Sequence, residues 1–427
     1  MTGRKTEPGA WPIVAMLFFF MLINFSDKAI IGLAAVPIMQ ELQLTPSEFG
    51  LVGSSFFLLF AISAIVVGFA ADRIQSRWII LGMGVIWALT QFPMVGTVGF
   101  GTLIACRIAL GAGEGPAYPI ALHAIYKWFP NEQRTLPTAI VAQGAGVGIL
   151  VALPLLNLII VHHSWHFAFG ALGIVGLLWC ILWVILGREG PLTVASELAG
   201  QTDTRVPFRR LLFNPTIAAC WCAYFGAYWA LSLSLMWQAA YFVNGLGFQQ
   251  SAVGLLTALT SGLGVVVVIG LGWYSQHLMS RGTSSRIARG WLAGSAVMFG
   301  GIMLLALPYI ENIAGKVIAG ALGMAFPSII YVISHAVISE ITPISQRGAL
   351  LAISNAIGTT AGLIAPYVMG RLVEGAAVPL YGFNQGFAIC GAIMLAGGVI
   401  GVMFIRPEIE AERIRAASGP ALAGHTT

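Results

Sequence analysis

Twelve stretches of eighteen or more nearly uncharged residues recur along this chain of 427 residues, at 11–36, 48–70, 78–97, 99–126, 135–160, 165–187, 214–241, 251–277, 287–308, 313–340, 348–372 and 381–405. Each is long enough to cross a hydrocarbon core of about 30 Å as an α-helix. Lipid offers no hydrogen bonds, so a lone apolar run must satisfy its own backbone, which a helix does. Charged residues make up 9% of the chain, against roughly a quarter in soluble domains. The expected class is an all-α membrane protein with twelve transmembrane helices.

Lysine and arginine give the orientation. If the loops alternate sides from the amino end, all but four of the 21 basic residues fall on one side. The four exceptions are Lys28 and Arg107 within spans, and Lys316 and Arg371 near the opposite helix ends. Basic loops stay cytoplasmic, so both termini are expected inside. The net charge of +5 follows from this bias and calls for no nucleic-acid partner. The run 11–36 is too long for a cleavable signal and lacks a small-residue cleavage site, so it is expected to be the first span. The five cysteines all lie in apolar runs without metal-site spacing and are expected to be packing residues. In HHSWH (162–166) three histidines cluster, with no cysteine or carboxylate beside them in the sequence. No metal site is expected there, and Trp165 has the position of an outer-interface anchor.

The chain also repeats. PNEQR (130–134) follows the fourth run and PISQR (343–347) the tenth. GFAADRIQSR (68–77) is echoed by GWYSQHLMSR (272–281). Between the sixth and seventh runs lies the longest polar stretch. The expected organisation is a six-helix bundle over 1–187, a cytoplasmic linker over 188–213, a second bundle over 214–405 and a cytoplasmic tail over 406–427. A substrate site belongs near the midplane of such a repeat.

Six spans, a basic linker and six spans resemble the major facilitator superfamily. GFAADRIQSR resembles its loop between the second and third helices, a conformational motif carried here by Gly68, Asp72, Arg73 and Arg77. Gln75-Ser76 departs from the motif's usual glycine. NFSDK (24–28), RIALGAGEGPAYP (107–119) and WFPNEQR (128–134) together resemble the anion:cation symporter branch, which includes bacterial sugar-acid and aromatic-acid importers and sialin-like carriers. The branch's usual Asp-Arg pair on the first helix is Asp27-Lys28 here. The resemblance implies a secondary active transporter, not an enzyme. It would import a small organic anion, a carboxylate such as a sugar acid or an aromatic acid, by proton symport with alternating access, as a monomer in a bacterial inner membrane, with protons for coupling and no cofactor. It assigns proton coupling to Asp27 and Glu114, and anion binding to Lys28 and Arg107.

The residues support that assignment on their own terms. Asp27, Lys28, Arg107 and Glu114 are the charges deep within spans, and an intramembrane charge is a functional hypothesis by default. Arg107 and Glu114 are two turns apart on one helix face, separated by about 10 Å, too far for a direct pair. Either they pair with the first-helix charges, which merely neutralises the interior, or the gap receives a substrate carboxylate. Glu114 sits among glycines and apolar residues, where desolvation favours the neutral acid and proton exchange becomes possible. Gly111 and Gly115 permit close helix approach, and Pro116 removes a helical hydrogen bond, so this helix should bend. Lys28 offers a point charge without arginine's planar fork.

Neutral candidates for substrate contact are Phe25, Gln143, Tyr224, Gln238 and Asn355, each of which could equally serve helix packing. His335 is expected to make a local helix contact. No Walker loop, GxSxG elbow or HExxH helix is present. A proton-coupled drug or metabolite exporter and a non-transporting nutrient sensor remain the alternatives. The first would normally have a Gly-Pro-rich fifth helix, and here Pro154 comes too late. The second would need a signalling extension.

Overall fold

The computed structural model describes residues 9–71, 73–129, 133–191 and 206–418. Among them the regular elements are all helical. The first half supplies α1 (Ala10–Leu33), α2 (Ala35–Glu41), α3 (Pro46–Phe56), α4 (Phe60–Ala70), α5 (Ser76–Gln91), α6 (Phe100–Glu114), α7 (Ala117–Tyr126), α8 (Thr135–Val147), α9 (Leu153–His162) and α10 (Trp165–Leu186). The remainder supplies α11 (Phe208–Leu212), α12 (Pro215–Ala240), α13 (Gln250–Ser280), α14 (Leu292–Ala306), α15 (Ile313–Ala325), α16 (Ile329–Ile341), α17 (Ile344–Thr359), α18 (Ala361–Gly375), α19 (Pro379–Phe404) and α20 (Pro407–Ser418).

Eleven helical stretches among the described residues are long and apolar enough to cross a membrane. The expected fourth span is the one absent from that set: Arg107, Glu114, the glycines and the prolines lower its apolarity, and it is also broken. α6 stops at Glu114 after 15 residues, Gly115 and Pro116 form a turn, and α7 continues for 10. Proline has no N–H to give to Ala112, so the ladder fails where the sequence places it.

Glycine sets the helix spacing in the first half. A Cβ on Gly111 would lie 1.7 Å from the Phe56 carbonyl oxygen, and one on Gly115 would lie 2.0 Å from that of Phe60. α6 therefore packs backbone to backbone on α3 and the start of α4. Gly144 and Gly148 bring α8 and the wider helical turn after it close to α1, where a Cβ would lie 2.3 Å from the Phe18 carbonyl oxygen and 2.6 Å from that of Leu22. Larger rings fill the space this leaves. Phe20 stacks on Trp87 at 4.3 Å and tilts against Trp179, whose indole donates to the Met16 carbonyl at 2.9 Å.

Contacts divide the chain into two compact units. One takes Met1–Gly200, Leu233–Gly262 and Gly362–Phe383; the other takes Gln201–Ser232, Leu263–Ala361 and Asn384–Thr427. The last turns of α12, the first turns of α13 and most of α18 thus pack with the first six spans. In the second unit, Gly294 and Gly301 let α14 meet α19 closely at Gly398 and Gly391.

Trp165 departs from expectation. It is 2% exposed, and its indole donates to Glu41 Oε2 at 2.7 Å. An interface anchor would lie open to headgroups; this indole is buried and donates to the exposed Glu41 carboxylate instead. Glu41 Oε1 also pairs with His166 Nε2 at 2.7 Å, so a carboxylate does join HHSWH in space. Serine 164 caps α10 through the Phe167 N–H, which breaks the helical spacing of His162 and His166. No group of three or more potential metal-ligating side chains occurs among the described residues.

Candidate functional site

The site grows from one face of α1 and the last two turns of α6. Asn24, Asp27 and Lys28 recur at helical spacing, so their side chains leave α1 together. Lys28 Nζ donates back to Asn24 Oδ1 at 2.8 Å and lies 3.2 Å from Glu114 Oε2. Its ammonium sits 4.7 Å from the Phe25 ring centroid and 5.3 Å from that of Phe60. The Arg107 guanidinium lies over the Phe56 ring at 4.6 Å. Both cations therefore rest on ring faces, which attract positive charge without neutralising it.

Burial is nearly complete: Asp27 and Glu114 are 1% exposed and Arg107 is 6% exposed. Lys28 is half-buried, with 12% of its side chain reachable. Three polar atoms of the cluster lack a hydrogen-bond partner: Nε and Nη1 of Arg107 and Oδ1 of Asp27. Buried polar groups are normally satisfied, so open donors and acceptors beside buried charges make this cluster the candidate site. With all four groups ionised, two positive and two negative charges sum to zero. Glu114 has its ion pair through Lys28, as the neutralising alternative foresaw. Among the described residues Arg107 has none.

The close approach at Gly111 and Gly115 positions this cluster. It presses α6 onto α3, which puts the Phe56 ring under Arg107 and Phe60 near Lys28. Sequence reasoning did not single out these two phenylalanines. The signal was the aromatic run SSFFLLF (54–60), opposite the glycines of a charged helix.

The other candidates scatter. Gln143 is exposed on α8. Tyr224 donates to Asn355 Oδ1 at 3.0 Å, joining α12 to α17 within the second unit. Tyr331 meets the Tyr224 ring edge to face, and His335 bonds the Tyr331 carbonyl one turn back along α16. Gln238 belongs to the first unit, where it accepts from Ser234 and donates to Thr260 Oγ1, both at 2.9 Å. It stands 14 residues beyond Tyr224 on α12, about 21 Å along the axis, so the two cannot share a small ligand. Of the loop motif, Gly68 is exposed, Arg73 lies in the turn after α4, and Arg77 donates to the Val184 carbonyl at 3.0 Å. Asp72 lies outside the described residues.

A cluster of opposed charges held inside a bundle of apolar helices is the equipment of a carrier, and comparison with known proteins agrees. A family model described as the Major Facilitator Superfamily matches residues 17–325. The chain belongs to that superfamily. It is 26% identical to the hexuronate transporter of Bacillus subtilis, over 93% of this chain and 95% of that one. It is 25% identical to the D-galactonate transporter of Escherichia coli, over 92% and 94% of the two chains. Among solved structures, that of a D-xylose-proton symporter superposes with a TM-score of 0.76 at 15% identity, covering 94% of this chain and 99% of that one. The last likeness bears on the fold alone. As a major facilitator chain this is a multi-pass membrane transporter, not an enzyme.

Proposed function

We propose that the protein imports a small organic anion, a sugar acid, together with a proton by alternating access. The observation that carries the proposal is the balanced buried cluster in which Arg107 keeps unpartnered donors. A carboxylate bound at Arg107 satisfies those donors by charge-assisted hydrogen bonds. It also adds a negative charge to a site whose own charges cancel, which burial penalises. One proton on Glu114 restores the balance and releases Lys28 from its ion pair to face the anion. Loading proton and substrate together is therefore cheaper than loading either alone, which is the condition for symport. Asp27 is the second carboxyl of the cluster and keeps Arg107 and Lys28 from standing uncompensated when the site is empty.

The sugar-acid class rests on the two relatives named for hexuronate and D-galactonate. The basic loops support cytoplasmic termini in a bacterial inner membrane. The carrier works as a monomer within the bilayer, without a cofactor.

The test is uptake of a hexuronate into proteoliposomes with an inward proton gradient. Glu114→Gln should keep substrate exchange but lose uphill accumulation, because the amide imitates permanent protonation. Arg107→Ala should abolish both. Accumulation by Glu114→Gln with protons as the sole driving force would remove Glu114 from the coupling role, and cationic drugs as the only stabilising ligands would move the reading to export.

A further inference from the structure

The short helix α11 (Phe208–Leu212) precedes α12 and is fastened on both sides. Before it, the Gln346 amide pairs fully with the Val206 backbone, accepting from its N–H at 2.8 Å and donating to its carbonyl at 2.7 Å. After it, Asn214 Nδ2 donates to Glu410 Oε2 at 2.8 Å. Asn214 Oδ1 accepts from the Thr216 and Ile217 N–H groups at 2.9 and 3.3 Å, where α12 starts. Leu211 is wholly buried between these two fastenings. The outward side chains of α11 therefore keep a fixed place.

Those side chains are rings and cations. Phe208 is 40% exposed, and Phe213, just past the helix, is 79% exposed. Arg209 and Arg210 between them are exposed, and neither has an ion-pair partner among the described residues. The end of α19 lies against the same place. Thr216 Oγ1 donates to the Phe404 carbonyl at 2.9 Å and accepts from the Arg406 N–H at 3.0 Å. Phe404 is 45% exposed, and Arg406 is exposed and likewise without an ion pair among the described residues. The neighbouring carboxylates are engaged elsewhere: Glu410 by Asn214 and Arg413, Glu408 by the Ser285 N–H. All of these residues belong to the second compact unit.

Phe213 and Arg406 each lie two residues outside a candidate span, the one beginning at Pro215 and the one ending at Phe404. That is the level at which acyl chains give way to headgroups. Rings beside arginines are what a helix lying in that layer presents, the rings to the acyl boundary and the cations to the headgroups. Three arginines without counter-charge select headgroups of net negative charge, and a guanidinium can hold a phosphate by two parallel hydrogen bonds.

We propose that α11 and the end of α19 form a seat for anionic phospholipid, held by Arg209, Arg210 and Arg406 and covered at Phe213 by acyl chain. The inference does not depend on what the protein transports. In the full chain, with the native cysteines replaced, Phe213→Cys is labelled with a benzophenone maleimide. The protein is then reconstituted in vesicles of equal parts phosphatidylglycerol and phosphatidylcholine. Illumination joins the probe to whatever it touches, and mass spectrometry identifies the adducts. Phosphatidylglycerol adducts should exceed phosphatidylcholine adducts by about fivefold or more, the preference that one arginine near an anionic surface supplies. Arg209→Gln with Arg210→Gln should lower that ratio several-fold, and adding Arg406→Gln should bring it to parity. All three arginines are exposed, so the variants keep the fold and the ratio stays readable. An even ratio in the parent, or one that the three substitutions leave unmoved, overturns the seat. Adducts confined to protein overturn it too, since they would show this face covered by polypeptide.

Discussion

Lys28 meets Glu114 with a compact charge, while Phe25 and Phe60 line its other sides. Removing one member of a buried ion pair leaves the other uncompensated, which costs about 3–5 kcal/mol, whereas removing both can be nearly neutral. Lys28→Met should therefore lower the unfolding temperature in detergent strongly, and adding Glu114→Gln should recover most of the loss. If the double variant melts no higher than Lys28→Met, the two residues are not coupled. The four charges were legible from sequence because a charge inside an apolar run has no other excuse. Their supports were not. Phe56 and Phe60 sit in a run that looks uniformly apolar, and only the approach of α6 through Gly111 and Gly115 selects which rings face the cations. For Gln238 the two roles left open by the sequence differ only in partner: a polar residue inside a helix announces a hydrogen bond, and here Ser234 and Thr260 supply it. Trp165 was read by its place near a span end, whereas its indole's partner, Glu41, lies 124 residues away in the sequence.

At the scale of elements, helix breaks were easier to foresee than helix caps. Pro116 declared the interruption of the fourth span. Nothing local declared that Glu189, just past α10, caps α5. Its carboxylate accepts from the Ser76 and Arg77 N–H groups at 3.3 and 3.1 Å and from Lys127 Nζ. The second unit repeats the device, with Glu408 accepting from the Ser285 N–H where the ninth span begins. The match escaped sequence comparison because it pairs residues distant in the chain. Partial burial pushes the Glu189 carboxyl up, but the hydrogen bonds from Lys127 and the Arg77 N–H outweigh it and hold the group below the usual glutamate range. A carboxyl held low in the folded state stabilises the fold above its unfolded value, near pH 4.3, and that stability is lost as pH falls through the folded one. Melting temperature should thus drop on acidification below about pH 4.3, and Glu189→Gln should flatten that limb while melting lower than the parent at pH 7. An unchanged acid limb in the variant would show that the cap carries no pH-dependent stability.

For the whole molecule, the apolar runs, the basic loops and the short repeats were enough to expect this fold, because each obeys a rule that lipid imposes. How contacts group the chain was not legible. Leu233–Gly262 and Gly362–Phe383 pack with the first six spans, and a carrier's sequence must accommodate more than one such grouping at similar energy. The zero sum of Asp27, Lys28, Arg107 and Glu114 has an electrical meaning. If one proton accompanies each monovalent anion, the loaded site remains neutral and moves no charge across the bilayer. Membrane voltage, worth about 2.3 kcal/mol per elementary charge per 100 mV, then does no work on the loaded carrier. Uptake should follow an imposed pH gradient and ignore a potassium diffusion potential clamped at equal pH. A carrier that draws its power from acidity alone would keep importing in a cell whose membrane potential has collapsed, so long as the medium stays more acidic than the cytoplasm.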